Sequence, residues 1–150
     1  MLTELNLPQY QFRIESTKAG ITIWDEFRKK HIVCTPEEWV RQNFLKFLVE
    51  EKGFPPGLIA LEKSIKVNKR TKRFDALVHD QVGKPILLIE FKAPEIEITE
   101  KTFHQIAAYN SQLKVKYLIM SNGLQHFACQ VDENGIQFFE NTPNYTDLND

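Results

Sequence analysis

Apolar and polar residues alternate near the start of the chain in the manner of short strands. Residues 10–14 and 21–24 both alternate, and the Lys-Ala-Gly sequence at 18–20 between them is a turn signal. A third short strand is predicted within residues 27–33. The pattern therefore predicts a β-rich N-terminal extension over residues 1–34, organised as a hairpin lead-in.

A helix is predicted to follow this extension. Thr35 is a suitable N-cap, Pro36 stands at the first helical position, and Glu38 follows the cap by three residues. The helix is expected to end near Gly53, because the Pro-Pro pair at 55–56 prevents its continuation. Between these limits the apolar residues recur at helical spacing, namely Trp39, Val40, Phe44, Phe47 and Leu48.

The rest of the chain predicts three strands, a second helix and three more strands. They are expected at residues 58–67, 74–79, 86–92, 99–113, 117–120, 125–131 and 136–139, with a basic turn with strand edges at 68–73 and a hairpin turn at 80–85. The third strand is almost continuously apolar, which is typical of a strand buried on both faces. With the second helix and the next strand it has the length of a βαβ crossover. We therefore predict an α/β fold, with a mixed sheet flanked by two helices over residues 35–140 and a polar, frayed tail over 141–150.

Composition narrows the class of protein. The 150 residues are 42% hydrophobic and 26% charged, as in one globular domain. A formal charge of -1 excludes a strongly basic nucleic-acid-binding protein but not a local basic patch. No apolar run could span a bilayer, no signal peptide is evident, and two distant cysteines, Cys34 and Cys129, suit a reduced compartment. We expect a cytoplasmic protein without a membrane partner.

Two charged residues end the most apolar predicted strand. Glu90 and Lys92 are two residues apart, so they share a face of the strand, where burial without partners is costly. If Asp80 pairs with Pro85 across the turn, the register places Asp75 directly opposite Glu90. Two carboxylates so close repel each other unless a cation lies between them, and such hard oxygen ligands suit Mg²⁺. A slip of one residue would place Asp75 on the other face.

These residues carry a resemblance to a known superfamily. Asp75 followed by Glu90-Phe-Lys92 resembles the motif of the PD-(D/E)XK nucleases, with Phe74 in place of the proline. Gln105-Ile-Ala-Ala-Tyr109 is similar to the QxxxY motif found in a subset of these enzymes. Over residues 35–131 the chain resembles the N-terminal nuclease domain of type I restriction enzyme R subunits. It contains no Walker A sequence, so we expect a free-standing nuclease-like domain without the motor domains.

The resemblance implies a restriction-endonuclease-like fold and hydrolysis of phosphodiester bonds in DNA with Mg²⁺ or Mn²⁺. Asp75 and Glu90 would hold the metal ion together with the backbone carbonyl of Phe91. Lys92 would orient the attacking water and offset negative charge in the transition state. An ion pair between Glu90 and Lys92 at a strand end is the alternative, but it leaves the position of Asp75 unexplained.

The roles of the other candidate residues have simpler alternatives. By the resemblance, Gln105 would steady the site and Tyr109 would approach the nucleic-acid backbone, although both would also suit a polar helix edge. Glu38 either assists metal binding or completes a capping box with Thr35. The basic run before Asp75 either contacts phosphates or forms a solvated turn; it comprises Lys69, Arg70, Lys72 and Arg73.

Two functions from different classes follow from these observations. The first is a metal-dependent DNA endonuclease. The second is a catalytically silent module of the same fold that binds nucleic acid or docks on a partner protein, which the near-neutral charge favours mildly. In either case other restriction-system subunits or a motor protein are possible partners, since no base-reading motif is evident in the sequence.

Overall fold

The computed structural model describes residues 2–67 and 69–148, without the side chain at position 67. Its strands are β1 (Ile14–Thr17), β2 (Gly20–Asp25), β3 (Lys30–Val33), β4 (Ile59–Val67), β5 (Arg70–His79), β6 (Pro85–Phe91), β7 (Tyr117–Ser121), β8 (His126–Asp132) and β9 (Gly135–Phe138). Its helices are α1 (Pro36–Lys52) and α2 (Glu100–Leu113), with short 3-10 turns at Pro56–Leu58 and Tyr145–Asp147.

The strands form two sheets. β1, β2 and β3 make a three-stranded antiparallel sheet, and β4 to β9 make a six-stranded sheet in chain order. Within the larger sheet β6 and β7 are parallel and the other neighbours are antiparallel. The parallel pair is joined through α2, as the predicted βαβ unit requires. The prediction of a mixed sheet with two helices is therefore confirmed.

Local signals explain where α1 begins and ends. The side chain of Thr35 accepts a hydrogen bond from the backbone N–H of Glu38 at 3.1 Å, which satisfies one of the free donors of the first turn. At the other end Gly53 takes the left-handed conformation with a φ of 70°, and its N–H donates to the carbonyl of Leu48. The helix therefore spans the predicted residues, and its buried side chains face the sheet.

The large sheet is covered by a helix on each face. On one side Phe44 of α1 packs in a cluster with Ile89 and Phe91. On the other side Phe103 of α2 packs in a cluster with Leu88. Successive residues of β6 thus enter opposite cores, which confirms the prediction that this strand is buried on both faces.

The N-terminal segment differs from the prediction. Residues 10–14 are not a strand, because β1 begins only at Ile14. The apolar side chains of the segment pack instead on α1 and the sheet: the ring of Phe12 lies 5.5 Å from that of Trp39, and Leu5 contacts the α1-side core. The third strand predicted within 27–33 is present as β3, so the extension is a three-stranded sheet rather than a hairpin.

The turn with strand edges predicted at 68–73 agrees with the structure: β5 begins at Arg70 and pairs with β4 from there, and position 68 lies outside the described residues. The expectation of a frayed tail was wrong, because Leu148 is buried in the α1-side core. The ring of Tyr145 packs edge-on against Phe54 and its hydroxyl donates a hydrogen bond to the carbonyl of His79, and these contacts explain why the polar tail is held.

Candidate metal centre and nucleic-acid interface

The β5–β6 hairpin positions the two carboxylates. Ala76 pairs with Ile89, and the two following pairs keep the predicted register. At the turn the prediction was wrong: Pro85 pairs with His79 rather than with Asp80, and the register shifts by one residue between positions 78 and 79. This bulge absorbs the difference, so the predicted register holds in the body of the hairpin.

Asp75 and Glu90 lie together at the end of this ladder. Oδ2 of Asp75 accepts a hydrogen bond from the backbone N–H of Phe91 at 2.7 Å, and its charge acts on the neighbouring carboxyl group of Glu90. Glu90 is only 9% exposed, and its Oε1 has no hydrogen-bond partner among the described residues. Burial and the charge of Asp75 raise the pKa of Glu90 to about 8.

Lys92 completes the predicted triplet. Its backbone N–H donates to the carbonyl of Ser121 at 2.9 Å, which holds the chain just beyond β6 next to β7. The positive charges of Lys72 and Lys92 both act to lower the pKa of Glu90, although burial and Asp75 outweigh them. The structure thus brings Asp75, Glu90 and Lys92 to one end of the sheet, and their catalytic roles stay predictions.

Glu38 makes only half of the predicted capping box. Its backbone N–H meets the Thr35 side chain, but its carboxylate does not close a capping box. Oε2 of Glu38 instead accepts from Nη1 of Arg41 at 2.8 Å, while Oε1 accepts from Gln42 at 3.0 Å and from Arg28. Two arginines hold its carboxylate, and a role of Glu38 in metal binding stays a prediction.

Arg41 is a site residue that the sequence reasoning missed. Its Nη2 lies 3.3 Å from Oδ1 of Asp75, although 34 positions separate the two in the chain. One signal was available: Arg41 shares a helical face with Phe44 and Leu48, three and seven residues on, so a charge was predictable on the apolar side of α1. Its acidic partner was not predictable, since that contact forms between separate elements.

A groove between β5 and α2 lies on the opposite side of the sheet from α1. Gln105 is exposed and lines the groove together with Tyr109, Arg70 and Lys72. The ammonium of Lys72 stands 5.2 Å from the centre of the Tyr109 ring, which also packs edge-on against Phe74. The two residues of the QxxxY motif therefore line a surface that carries basic side chains.

The predicted basic run is divided between two surfaces. Arg70 and Lys72 line the groove, as residues two apart on a strand should. Arg73 points elsewhere, with its Nη2 3.0 Å from a carboxylate oxygen of Glu62. Lys69 is exposed in the β4–β5 turn with a φ of 68°. Two of the four residues are thus placed to contact a ligand in the groove.

The carboxyl pair suits a hard divalent cation. Among the described residues no group of three or more His, Cys, Asp or Glu side chains is arranged to hold a metal ion. Mg²⁺, however, usually binds through one or two carboxylates and keeps several of its waters. The unpartnered Oε1 of Glu90 and the adjacent carboxylate of Asp75 could supply those two oxygen ligands. The backbone carbonyl of Phe91 stays a predicted third ligand.

Comparison with known proteins identifies the family. The family model of the type I restriction enzyme R protein N terminus matches residues 36–143, a span that includes Asp75, Glu90 and Lys92 and leaves out β1 to β3. No curated protein matches the chain in sequence. In the described part of the chain, no helix is both long and apolar enough to cross a membrane. The chain belongs to the family of type I restriction enzyme R protein N termini.

Proposed function

We propose that this chain is a metal-dependent endonuclease domain with a restriction-endonuclease-like fold, and that it hydrolyses phosphodiester bonds in DNA. The observation that carries the proposal is the close pair of Asp75 and Glu90, in which Glu90 is buried and its Oε1 has no hydrogen-bond partner among the described residues. Membership of a restriction-enzyme family supports DNA as the substrate. The expected compartment is the cytoplasm.

The residues that would hold Mg²⁺ or Mn²⁺ are Asp75, Glu90 and, through its carbonyl, Phe91. A bound ion would supply a Lewis acid and a more acidic water. In the metal-free protein the raised pKa keeps Glu90 protonated near neutral pH, because burial and the charge of Asp75 both disfavour the ionised carboxylate. Glu90 would release this proton when a cation binds, so metal binding should become tighter as the pH rises.

Lys92 would act on the reacting groups. Its ammonium is close enough to Glu90 to favour the ionised carboxylate. The same charge would orient a water for attack and stabilise the negative charge that develops on the phosphate oxygens. A neutral side chain of similar length should therefore preserve the fold and lose the reaction.

The groove would bind the DNA backbone. Arg70 and Lys72 supply positive charge, and Gln105 and Tyr109 supply polar contacts along the same surface. Contacts of this kind position a duplex without reading its sequence. Other restriction-system subunits or a motor protein would therefore supply target recognition.

A plasmid-cleavage assay with four variants tests the proposal. Purified protein is incubated with supercoiled plasmid in Mn²⁺, in Mg²⁺ and in chelator. Glu90→Gln and Lys92→Met should reduce nicking or linearisation by about 100-fold or more. The charge-matched controls Glu95→Gln and Lys84→Met change exposed residues and should cleave like the parent. Equal cleavage by Glu90→Gln and the parent would contradict the proposed site.

The silent module is the second candidate, favoured by the near-neutral charge of the chain. It predicts DNA binding that weakens with salt, without cleavage in either metal. Binding that is lost in Lys72→Ala but unchanged in Glu90→Gln, with no turnover by the parent protein, would replace the nuclease proposal by this one.

A further inference from the structure

A series of buried and half-buried charged side chains connects the N-terminal sheet with Asp75. Asp25, at the end of β2, is fully buried and accepts a hydrogen bond from Arg28. The guanidinium of Arg28 also donates to Glu38 of α1. Glu38 in turn accepts from Nη1 of Arg41, whose Nη2 reaches Asp75. Acidic and basic side chains thus alternate from β2 of the three-stranded sheet to Asp75 of the six-stranded sheet.

Arg41 is positioned by its surroundings and has little freedom to move. Its side chain is 8% exposed, and it lies within 4.0 Å of carboxylate oxygens on Glu37, Glu38, Glu62 and Asp75. A buried arginine depends on such partners, because its charge has been removed from water. The guanidinium of Arg41 therefore places a permanent positive charge beside the same carboxylate, that of Asp75, which the proposed metal ion would bind.

We propose that Arg41 is the protein's own counterion for Asp75, so that a divalent cation must bind against the positive charge of Arg41. The N-terminal sheet fixes the position of Arg41 through Arg28 and Glu38. This inference rests on the proposed metal site. Arg41 is a positioning residue, since it orients a carboxylate and does not meet the substrate. The sheet that supports it, β1 to β3, lies outside the residues that match the family model.

The inference predicts that metal affinity and turnover change in opposite directions. Removing the charge of Arg41 takes a cation away from Asp75, so a divalent ion should bind more tightly. The same change frees Oδ1 of Asp75 from its hydrogen bond, so the carboxylate is less well oriented and turnover should fall. A variant that was merely unfolded in part would lose both.

Binding of Mn²⁺ tests this directly, with free Mn²⁺ followed by electron paramagnetic resonance. Arg41→Met should lower the dissociation constant by about fivefold or more. Arg28→Met should lower it as well, because Glu38 then keeps only one of its two arginine partners and draws Arg41 away from Asp75. Lys46→Met is the matched control: Lys46 bridges the same elements, 3.8 Å from Glu26, and its loss changes the charge equally. Its dissociation constant should stay within about twofold of the parent's.

Turnover and folding complete the test. At saturating Mn²⁺ plasmid cleavage by Arg41→Met should fall, and Arg41→Lys should restore part of the parent's weaker metal binding. Thermal unfolding reports whether each variant is folded, and Arg28→Met carries the test if Arg41→Met is not. Unchanged or weaker Mn²⁺ binding in a folded arginine variant would overturn the inference.

The outcomes separate this inference from the proposed function. If Mn²⁺ binds the parent and is lost in Glu90→Gln, but the arginine variants gain nothing, only the role of Arg41 is refuted. If the parent, Arg41→Met and Glu90→Gln all fail to bind Mn²⁺, the metal site is refuted and the inference with it. Binding by Arg41→Met in the absence of binding by the parent would support both.

Discussion

The pH dependence of folding stability should reveal the environment of Glu90 without any metal. Because the folded protein raises the pKa of Glu90 to about 8 from its ordinary 4.5, the folded state retains a proton that the unfolded chain releases. The contribution of this group to stability is therefore complete below pH 4.5 and is lost as the pH rises toward 8. Glu90→Gln stays neutral, so the variant should escape this loss.

The size of the effect follows from the pKa. Each pH unit between the two values costs up to about 1.4 kcal/mol, which sums to about 5 kcal/mol. For a chain of this length the full figure corresponds to a difference in Tm of about 10–20 °C. Relaxation of the site and entry of water reduce the figure, so about 5 kcal/mol is its upper limit.

The assay is thermal and urea unfolding of the parent and Glu90→Gln in chelator from pH 5 to pH 8. The stability of the variant relative to the parent should increase steadily over this range. Adding Mg²⁺ at pH 8 should stabilise the parent and leave the variant unchanged. Glu95→Gln, at an exposed position five residues later, is the control and should follow the parent at every pH. A difference between parent and Glu90→Gln that is the same at pH 5 and pH 8 would refute the reasoning.

Two further predictions concern the helices that hold the site. Thr35→Ala should lower the free energy of unfolding by about 1 kcal/mol in urea denaturation, because the N–H of Glu38 loses its acceptor. Thr35→Ser keeps a hydroxyl acceptor and should retain the stability of the parent. Equal losses in both variants would contradict the capping role. Asn110→Ala should cost about 2–4 kcal/mol, because the buried carbonyls of Val115 and Tyr117 lose the amide that donates to them at 3.2 and 2.7 Å. Gln112→Ala, at an exposed position of the same helix, is the control and should change stability little. A similarly small effect in Asn110→Ala would show that the bond from Asn110 to Tyr117 does not secure α2 to β7.

Local sequence was sufficient for the elements that depend on near neighbours. The cap at Thr35, the break after Lys52 and the apolar run of β6 each rest on residues a few positions apart, and the structure confirms all three. The pairing of β5 with β6 was also predictable, because a short turn limits the possible registers. The bulge beside His79 was not, since it depends on local backbone geometry.

The long-range features could not be predicted in this way. The alternation in residues 10–14 predicted a strand, but Phe12 packs on α1 instead, and the polar tail gave no sign that Leu148 would be buried. In both cases the pattern of apolar and polar residues is compatible with packing on several different surfaces of the fold. Which of these surfaces is available depends on where α1 and the sheet lie in the folded protein.

The sequence by itself determined that Asp75, Glu90 and Lys92 would meet, because strand alternation and one hairpin are enough to bring them together. Only the tertiary structure decided the charge environment of these three side chains. Burial under the packed layers raises the pKa of Glu90, and folding brings Arg41 from α1 onto Asp75. Desolvation and contacts between distant elements exist only once the layers have packed, so no pattern of neighbouring residues contains them.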